Sequence, residues 1–211
     1  MTHLLVTAGP TYEPLDPVRF LGNRSSGRVG VAIAQEAAAR GVTVDLLLGP
    51  GRVEPDPQEN VTITRFETAH DLGELLNTMA GGADLIIMAA AVSDFRPVHP
   101  PLERKMRRDG RITLELEPVP DLLAALSATA GANQQVIGFA LEHPDDLPEA
   151  AVEKLARKGC SGIVANGYGT MEGDEIEAML LMADGRSWTT PGSISKGAFA
   201  SWLLDHLLAG S

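Results

Sequence analysis

The sequence predicts an α/β fold: a doubly wound, mostly parallel sheet with helices on both faces and a small β extension. Three observations predict it. Short apolar runs bounded by glycine or proline recur along the chain, and continuous runs of this kind read as strands buried on both faces. Amphipathic stretches of helical length separate them, which is the alternation of a parallel sheet. The 211 residues, 44% of them hydrophobic, suffice for one domain, 1–211, with a substantial core.

Residues 4–8 are the first strand, broken at Gly9-Pro10-Thr11. A helical pattern covers 29–40 and Gly41 stops it. Between strand and helix lies a long insertion carrying Asp16, Arg19 and the run Asn23-Arg24-Ser25-Ser26-Gly27. A structureless loop of that length in a compact domain points to function. The second strand, 42–48, ends at Gly49-Pro50-Gly51, and a Pro- and acid-rich loop follows. A third strand covers 61–66, a helix 70–79, and the most apolar strand 83–90. The stretch 96–111 is polar, with Pro97, Pro100, Pro101 and the basic run Arg104-Lys105-Met106-Arg107-Arg108. Residues 112–117 alternate strictly and read as a half-buried strand. A two-stranded ribbon is marginal alone, so its apolar face calls for a second subunit. Asp121 caps a helix running to about 130. Then come a strand at 136–140, a helix at 148–158 and a strand at 162–166. A hairpin of 177–182 with 186–189 turns at Asp184-Gly185, and Ser195 caps the last helix, 196–208.

The net charge of −11 argues against a duplex nucleic-acid partner, whose phosphates need a basic surface. A free nucleotide needs only a local basic cluster. The single cysteine, Cys160, cannot form an internal disulfide and fits a reducing compartment; it reads as a small core residue. The N-terminus enters a strand directly, and no apolar run reaches membrane-spanning length. A cytoplasmic protein without a membrane partner is expected.

Ligands on such sheets bind at the carboxyl ends of the strands. That brings Gly9-Pro10-Thr11 and Ala90-Ala91-Val92-Ser93-Asp94 toward one crevice, with the glycine-rich helix entry as an anion site. Asp94 is placed to hold Mg²⁺ beside nucleotide phosphates, or to act as a cap. Lys105 stands in a loop that could close over phosphates, or in a solvated charge run. Lys154 and Lys158, four apart, share one helix face and read as phosphate contacts or as ordinary surface. Phe139 frames a base or belongs to the core. The five histidines show no metal-ligand spacing.

Together these segments resemble phosphopantothenoylcysteine synthetase, the phosphopantothenate–cysteine ligase family. The resemblance rests on Val6-Thr7-Ala8-Gly9-Pro10-Thr11, Asp16-Pro17-Val18-Arg19-Phe20, Asn23-Arg24-Ser25-Ser26-Gly27 and Ala89-Ala90-Ala91-Val92-Ser93-Asp94-Phe95-Arg96-Pro97. Gly138-Phe139-Ala140-Leu141-Glu142, the lysines at 154 and 158, Val164-Ala165-Asn166 and Ser195-Lys196 extend it over almost the whole chain. It implies a Rossmann-like domain, a homodimer, and CTP with Mg²⁺. In this family the carboxylate of 4′-phosphopantothenate attacks the α-phosphate of CTP and pyrophosphate leaves. The amine of L-cysteine then attacks the acyl-cytidylate, releasing CMP. The resemblance places Lys105 in the first step, and Arg19, Asn23 and Ala91 around the intermediate in the second. It places Ser25, Ser26 and Gly27 at the phosphopantothenate moiety and Asp94 at the metal and phosphates. Phe139 falls beside the cytosine, and Lys154 and Lys158 near the triphosphate. The chain departs from the family at Arg107 and Arg108, where lysines are usual. It departs also at Ser161 and Gly167, where acids are expected, and at Ile176, where Asn is expected. A flavin-binding decarboxylase commonly precedes this domain, so a separate decarboxylase is expected. Two other readings stay open: an NAD(P)-dependent reductase, which would need an acid where Gly49-Pro50-Gly51 stands, and a non-catalytic nucleotide-binding module.

Overall fold

The structure, a computed structural model, describes residues 2–51, 53–107, 110–142, 147–170 and 173–209. In chain order the elements are β1 (His3–Ala8), β2 (Tyr12–Pro14), β3 (Phe20–Gly22), α1 (Arg28–Ala39), β4 (Thr43–Leu48), β5 (Val61–Arg65), α2 (Ala69–Met79), β6 (Leu85–Met88), β7 (Phe95–Pro97) and β8 (Leu116–Pro118). They continue with α3 (Leu122–Thr129), β9 (Gln135–Glu142), α4 (Leu147–Lys158), β10 (Gly162–Gly167), β11 (Glu175–Ile176), β12 (Ala178–Met182), β13 (Ser187–Thr189), β14 (Ile194–Ser195) and α5 (Lys196–Leu208).

Eight strands form the central sheet in the order β13-β12-β10-β9-β6-β1-β4-β5. β10, β9, β6, β1, β4 and β5 are parallel; β12 and β13 add an antiparallel edge. Alternation along β1 assigns its side chains to two cores. Leu4, Val6 and Ala8 pack with Ile33 of α1 and Phe199 of α5 on one face. Leu5 packs with Leu72 of α2, Leu126 of α3 and Ala151 of α4 on the other. Each of the larger side chains among these, Leu, Ile, Val or Phe, contributes about 1.5–3 kcal/mol of transfer free energy. The predicted doubly wound architecture is therefore present, with α1 and α5 in one layer and α2, α3 and α4 in the second. No helix among the described residues is long and apolar enough to cross a membrane.

Three differences from the sequence expectation are local. The insertion after β1 is a hairpin, with Tyr12 opposite Gly22 and Pro14 opposite Phe20. The Tyr12 and Phe20 rings stack at 3.7 Å, which holds it shut. The alternating stretch 112–117 pairs only from Leu116, against β7. One further bond joins Val98 N–H to the Glu115 carbonyl, and then Pro100 and Pro101 offer no donor. β6 stops at Met88, because the Ala90 N–H leaves the ladder for Thr7 Oγ1 at 3.0 Å.

Candidate functional site

β1 is flanked by β4 on one side and β6 on the other, so the winding reverses between β1 and β6. Just past their carboxyl ends the chain is clasped. Pro10 bridges Ala91, the Ala91 N–H donates to Gly9 at 2.9 Å, and the Thr11 N–H donates to Ala91 at 3.2 Å. Thr11 Oγ1 accepts the Ser93 N–H at 2.9 Å and donates to Ser93 Oγ at 3.0 Å. Thr11 is fully buried. Gly9, Pro10 and Thr11 thus support the crevice from beneath and do not line it, whereas Ala90, Ala91 and Asp94 do.

The crevice has a volume of about 910 Å³. Its floor is the turn from Ala90 to Asp94, one wall is Asn23 to Gly30, and the opposite wall includes Phe139 and Lys154. Gly27 enters α1 with φ 76, a left-handed conformation that favours glycine. A Cβ on Gly30 would lie 2.5 Å from that of Ala8, so helix and strand meet there without room for a side chain. Asn23 Nδ2 donates to the carbonyls of Ala91 at 3.2 Å and Val92 at 3.1 Å. Both amide hydrogens are committed to the floor, which leaves Oδ1 as the atom offered to a ligand. Ser25, Ser26 and Gly27 stand beside it in the same wall.

The opposite wall is basic. Burial holds the Lys154 ammonium below its ordinary value, Lys158 and Arg157 push it further down, and Glu142 and Asp94 oppose them. Lys158 pairs with the carboxylate of Asp121, which also caps α3 by accepting the Ala124 N–H at 3.0 Å. Burial pushes the Asp121 carboxyl up, but Lys158 and that N–H outweigh it and hold the group below the usual carboxylate range. Phe139 meets Phe199 edge-on at 6.4 Å and presents its ring to the crevice. Among the described residues no three His, Cys, Asp or Glu side chains cluster as a metal site. Asp94 alone fits Mg²⁺ only in the manner in which that ion uses one carboxylate and the phosphates it accompanies.

Arg19 and Lys105 do not line the crevice. Arg19 and Met106, the residue after Lys105, meet at Asp16, whose buried carboxylate accepts the Met106 N–H at 3.0 Å and the Val18 and Arg19 N–H groups at 2.8 and 2.9 Å. It also pairs with the Arg19 guanidinium at 2.5 Å. These contacts, the Met106 N–H foremost and against the cost of burial, hold the Asp16 carboxyl down at about 2. Lys105 and Arg107 are exposed, and Arg108 lies outside the described residues. Ser161, where the resemblance led to an expected acid, accepts the Val136 N–H at 3.0 Å at the amino ends of β9 and β10, away from the crevice. Gly167 ends β10, and Ile176 is buried in the α5 core at the crevice edge.

Sequence reasoning did not place Val119, Pro120, Leu122, Tyr168 or Lys196 in the site, and all line it. The helix cap at Asp121 was the available signal for the first three, because a helix entry at a strand's carboxyl edge belongs to the ligand side. The crevice offers a dinucleotide no ribose acid after β4: a Cβ on Gly49 would lie 2.3 Å from the Pro10 carbonyl oxygen and 2.7 Å from Phe66.

Fold and site together define a Rossmann-like α/β domain with a polar, cation-bearing crevice at its switch point. The chain belongs to the family described as the DNA/pantothenate metabolism flavoprotein C-terminal domain, whose model matches residues 1–210. It is 38% identical to the coenzyme A biosynthesis bifunctional protein CoaBC of Mycobacterium bovis, an alignment that covers 97% of this chain and 51% of that protein. It is 39% identical over 163 residues to a cysteine/cysteine sulfinic acid decarboxylase of an unknown prokaryotic organism, covering 77% of this chain and 45% of the relative. The chain thus spans about half the length of the curated relatives it matches. The crystal structure of the C-terminal domain of a CoaBC protein superposes with a TM-score of 0.82 at 33% identity, covering 98% of this chain and 93% of that one.

Proposed function

We propose that the protein is a phosphopantothenate–cysteine ligase of coenzyme A biosynthesis. The observation that carries the reading is Asn23. It lines the crevice at the glycine-rich helix entry that the family motif marks, with its amide N–H groups fixed on the Ala91 and Val92 carbonyls and its oxygen left for a ligand. CTP and 4′-phosphopantothenate would share the crevice. Phe139 would frame the base, Lys154 and Lys158 would meet the triphosphate, and Asp94 would hold Mg²⁺, which supplies charge neutralisation at the phosphates. Ser25, Ser26 and Gly27 would line the phosphopantothenate side. As the carboxylate attacks the α-phosphate, Lys105 would stabilise the charge of departing pyrophosphate. Asn23, Arg19 and the Ala91 backbone would then hold the acyl-cytidylate while the cysteine amine attacks.

Arg19 and Lys105 lie on the appendage of β2, β3, β7 and β8, outside their own chain's crevice. The same region exposes Val18, Phe20, Phe95, Leu102, Leu114 and Leu116. An apolar patch of this kind suits a second copy of the chain, so the reading includes a homodimer. A cytoplasmic setting and a decarboxylase that consumes the product complete it. The test is pyrophosphate release from CTP and 4′-phosphopantothenate, followed by CMP release when cysteine is added. Absence of nucleotide turnover with CTP and with ATP would remove the ligase assignment.

A further inference from the structure

We propose that Lys196, with the adjoining N-termini of α1 and α5, forms a phosphate subsite in the crevice, on the opposite side of the sheet from Lys154 and Lys158. The first residue of α1 is Arg28 and the first of α5 is Lys196; both line the crevice, and the two helices pack together. The Asp174 strand entry links them, since its carboxylate pairs with Arg28 and its carbonyl accepts the Lys196 N–H at 3.2 Å. The positive ends of two helix dipoles therefore meet at one place. α1 has no side-chain cap and no acid in its first turn, so nothing of its own answers that end.

The second observation is Lys196 itself. Only 6% of it is exposed, and among the described residues its ammonium has no hydrogen-bond or ion-pair partner. A buried cation without a partner is costly unless an anion arrives. Burial lowers the ammonium's proton affinity and neighbouring Arg28 lowers it further, with Asp174 opposing, so an incoming anion would offset both effects at Lys196. Ser25, Ser26 and Gly27, just before α1, line the same crevice and are small groups that leave room for a tetrahedral anion.

Which phosphate arrives rests on the ligase reading: a nucleotide phosphate or the 4′-phosphate of phosphopantothenate. Calorimetry on the full chain and on Lys196→Met separates them, with Lys196→Arg as the charge-restoring control. Inorganic pyrophosphate is the probe that needs no ligase assignment. Lys196→Met should bind it at least about tenfold more weakly, the worth of one charge-assisted hydrogen bond, and Lys196→Arg should recover most of the loss. A loss confined to CTP assigns the nucleotide; a loss confined to 4′-phosphopantothenate assigns its phosphate. Lys196→Gln and a melting curve for each variant separate binding from folding. Unchanged affinity for all three anions would overturn the subsite, and so would equal weakening of 4′-phosphopantothenate and unphosphorylated pantothenate. Lys196-dependent pyrophosphate binding without any affinity for CTP or 4′-phosphopantothenate would keep the subsite and remove the ligase reading.

Discussion

The Asp16 carboxylate accepts the Met106 N–H at 3.0 Å, which ties the hairpin bearing Arg19 to the loop bearing Lys105. Arg19 strengthens the joint by donating to the Met106 carbonyl at 3.4 Å. Asp16→Asn should loosen Lys105 and slow acyl-cytidylate formation about tenfold, with CTP affinity little changed. Rapid-quench measurement of the first step against calorimetry of CTP decides this; a fall in CTP affinity alone would count against the joint. The same carboxyl titrates at about 2 in the fold against an ordinary value of 3.8. A depressed carboxyl contributes stability that is present above the unfolded value and lost as pH falls through the folded one. The melting-temperature gap between the native protein and Asp16→Asn should therefore be constant above about pH 5 and close between about pH 4 and 2.

Lys105→Gln and Asn23→Asp should separate the two half-reactions. If the ligase reading holds, Lys105→Gln would remove a cation from the departing pyrophosphate and should cost about a hundredfold or more in the first step. Asn23→Asp replaces two donated N–H groups with a carboxylate facing the Ala91 and Val92 carbonyls. The floor itself should persist, because Gly9 and Thr11 hold it from below. Labelled CTP quenched before and after cysteine should show no cytidylate for Lys105→Gln and a persisting one for Asn23→Asp. Equal loss of both steps in both variants would refute the division.

Asp121 serves both as the cap of α3 and as the partner of Lys158. Asn caps as well as Asp but carries no charge. Asp121→Asn should therefore change stability by less than about 1 kcal/mol, since the pair is partly exposed. It should free Lys158 and tighten CTP binding at low salt. Urea denaturation and salt-dependent calorimetry give the two numbers.

Leu116→Glu and Phe95→Glu place charge on the exposed faces of β8 and β7 and should yield monomers without loss of the fold. Light scattering beside circular dichroism checks this. A native monomer, or a dimer indifferent to both changes, would locate the interface elsewhere.

The sheet was legible because buried parallel strands such as 4–8 and 162–166 are nearly uniform apolar runs. The three-residue strands Tyr12–Pro14 and Phe20–Gly22 were not, because too few residues alternate for a period to show and their closure depends on a ring stack between distant positions. In the site, Asn23, Asp94, Phe139 and Lys154 could be placed from motif and strand ends. Lys196 could not. A lysine in the first turn of a helix reads as solvent-facing, and its burial arises only from the tertiary packing around the start of α5. The part Thr11 plays beneath the crevice was hidden for the converse reason: its hydroxyl bonds Ser93, a relation that no local pattern carries.

The clasp between Thr11 and Ser93 joins positions 82 residues apart. A ribosome adding about 5–20 residues per second needs roughly 4–16 s to make that interval. Throughout it, the nascent chain holds Asn23 and the helix entry but has no floor to seat them on. Ligand recognition is thus absent from any translation product that stops short of residue 93, and substrate cannot stabilise such a fragment. The opposite wall, with Phe139 and Lys154, is made later still, so occupancy would protect from proteolysis only chains that have passed both the clasp and that wall.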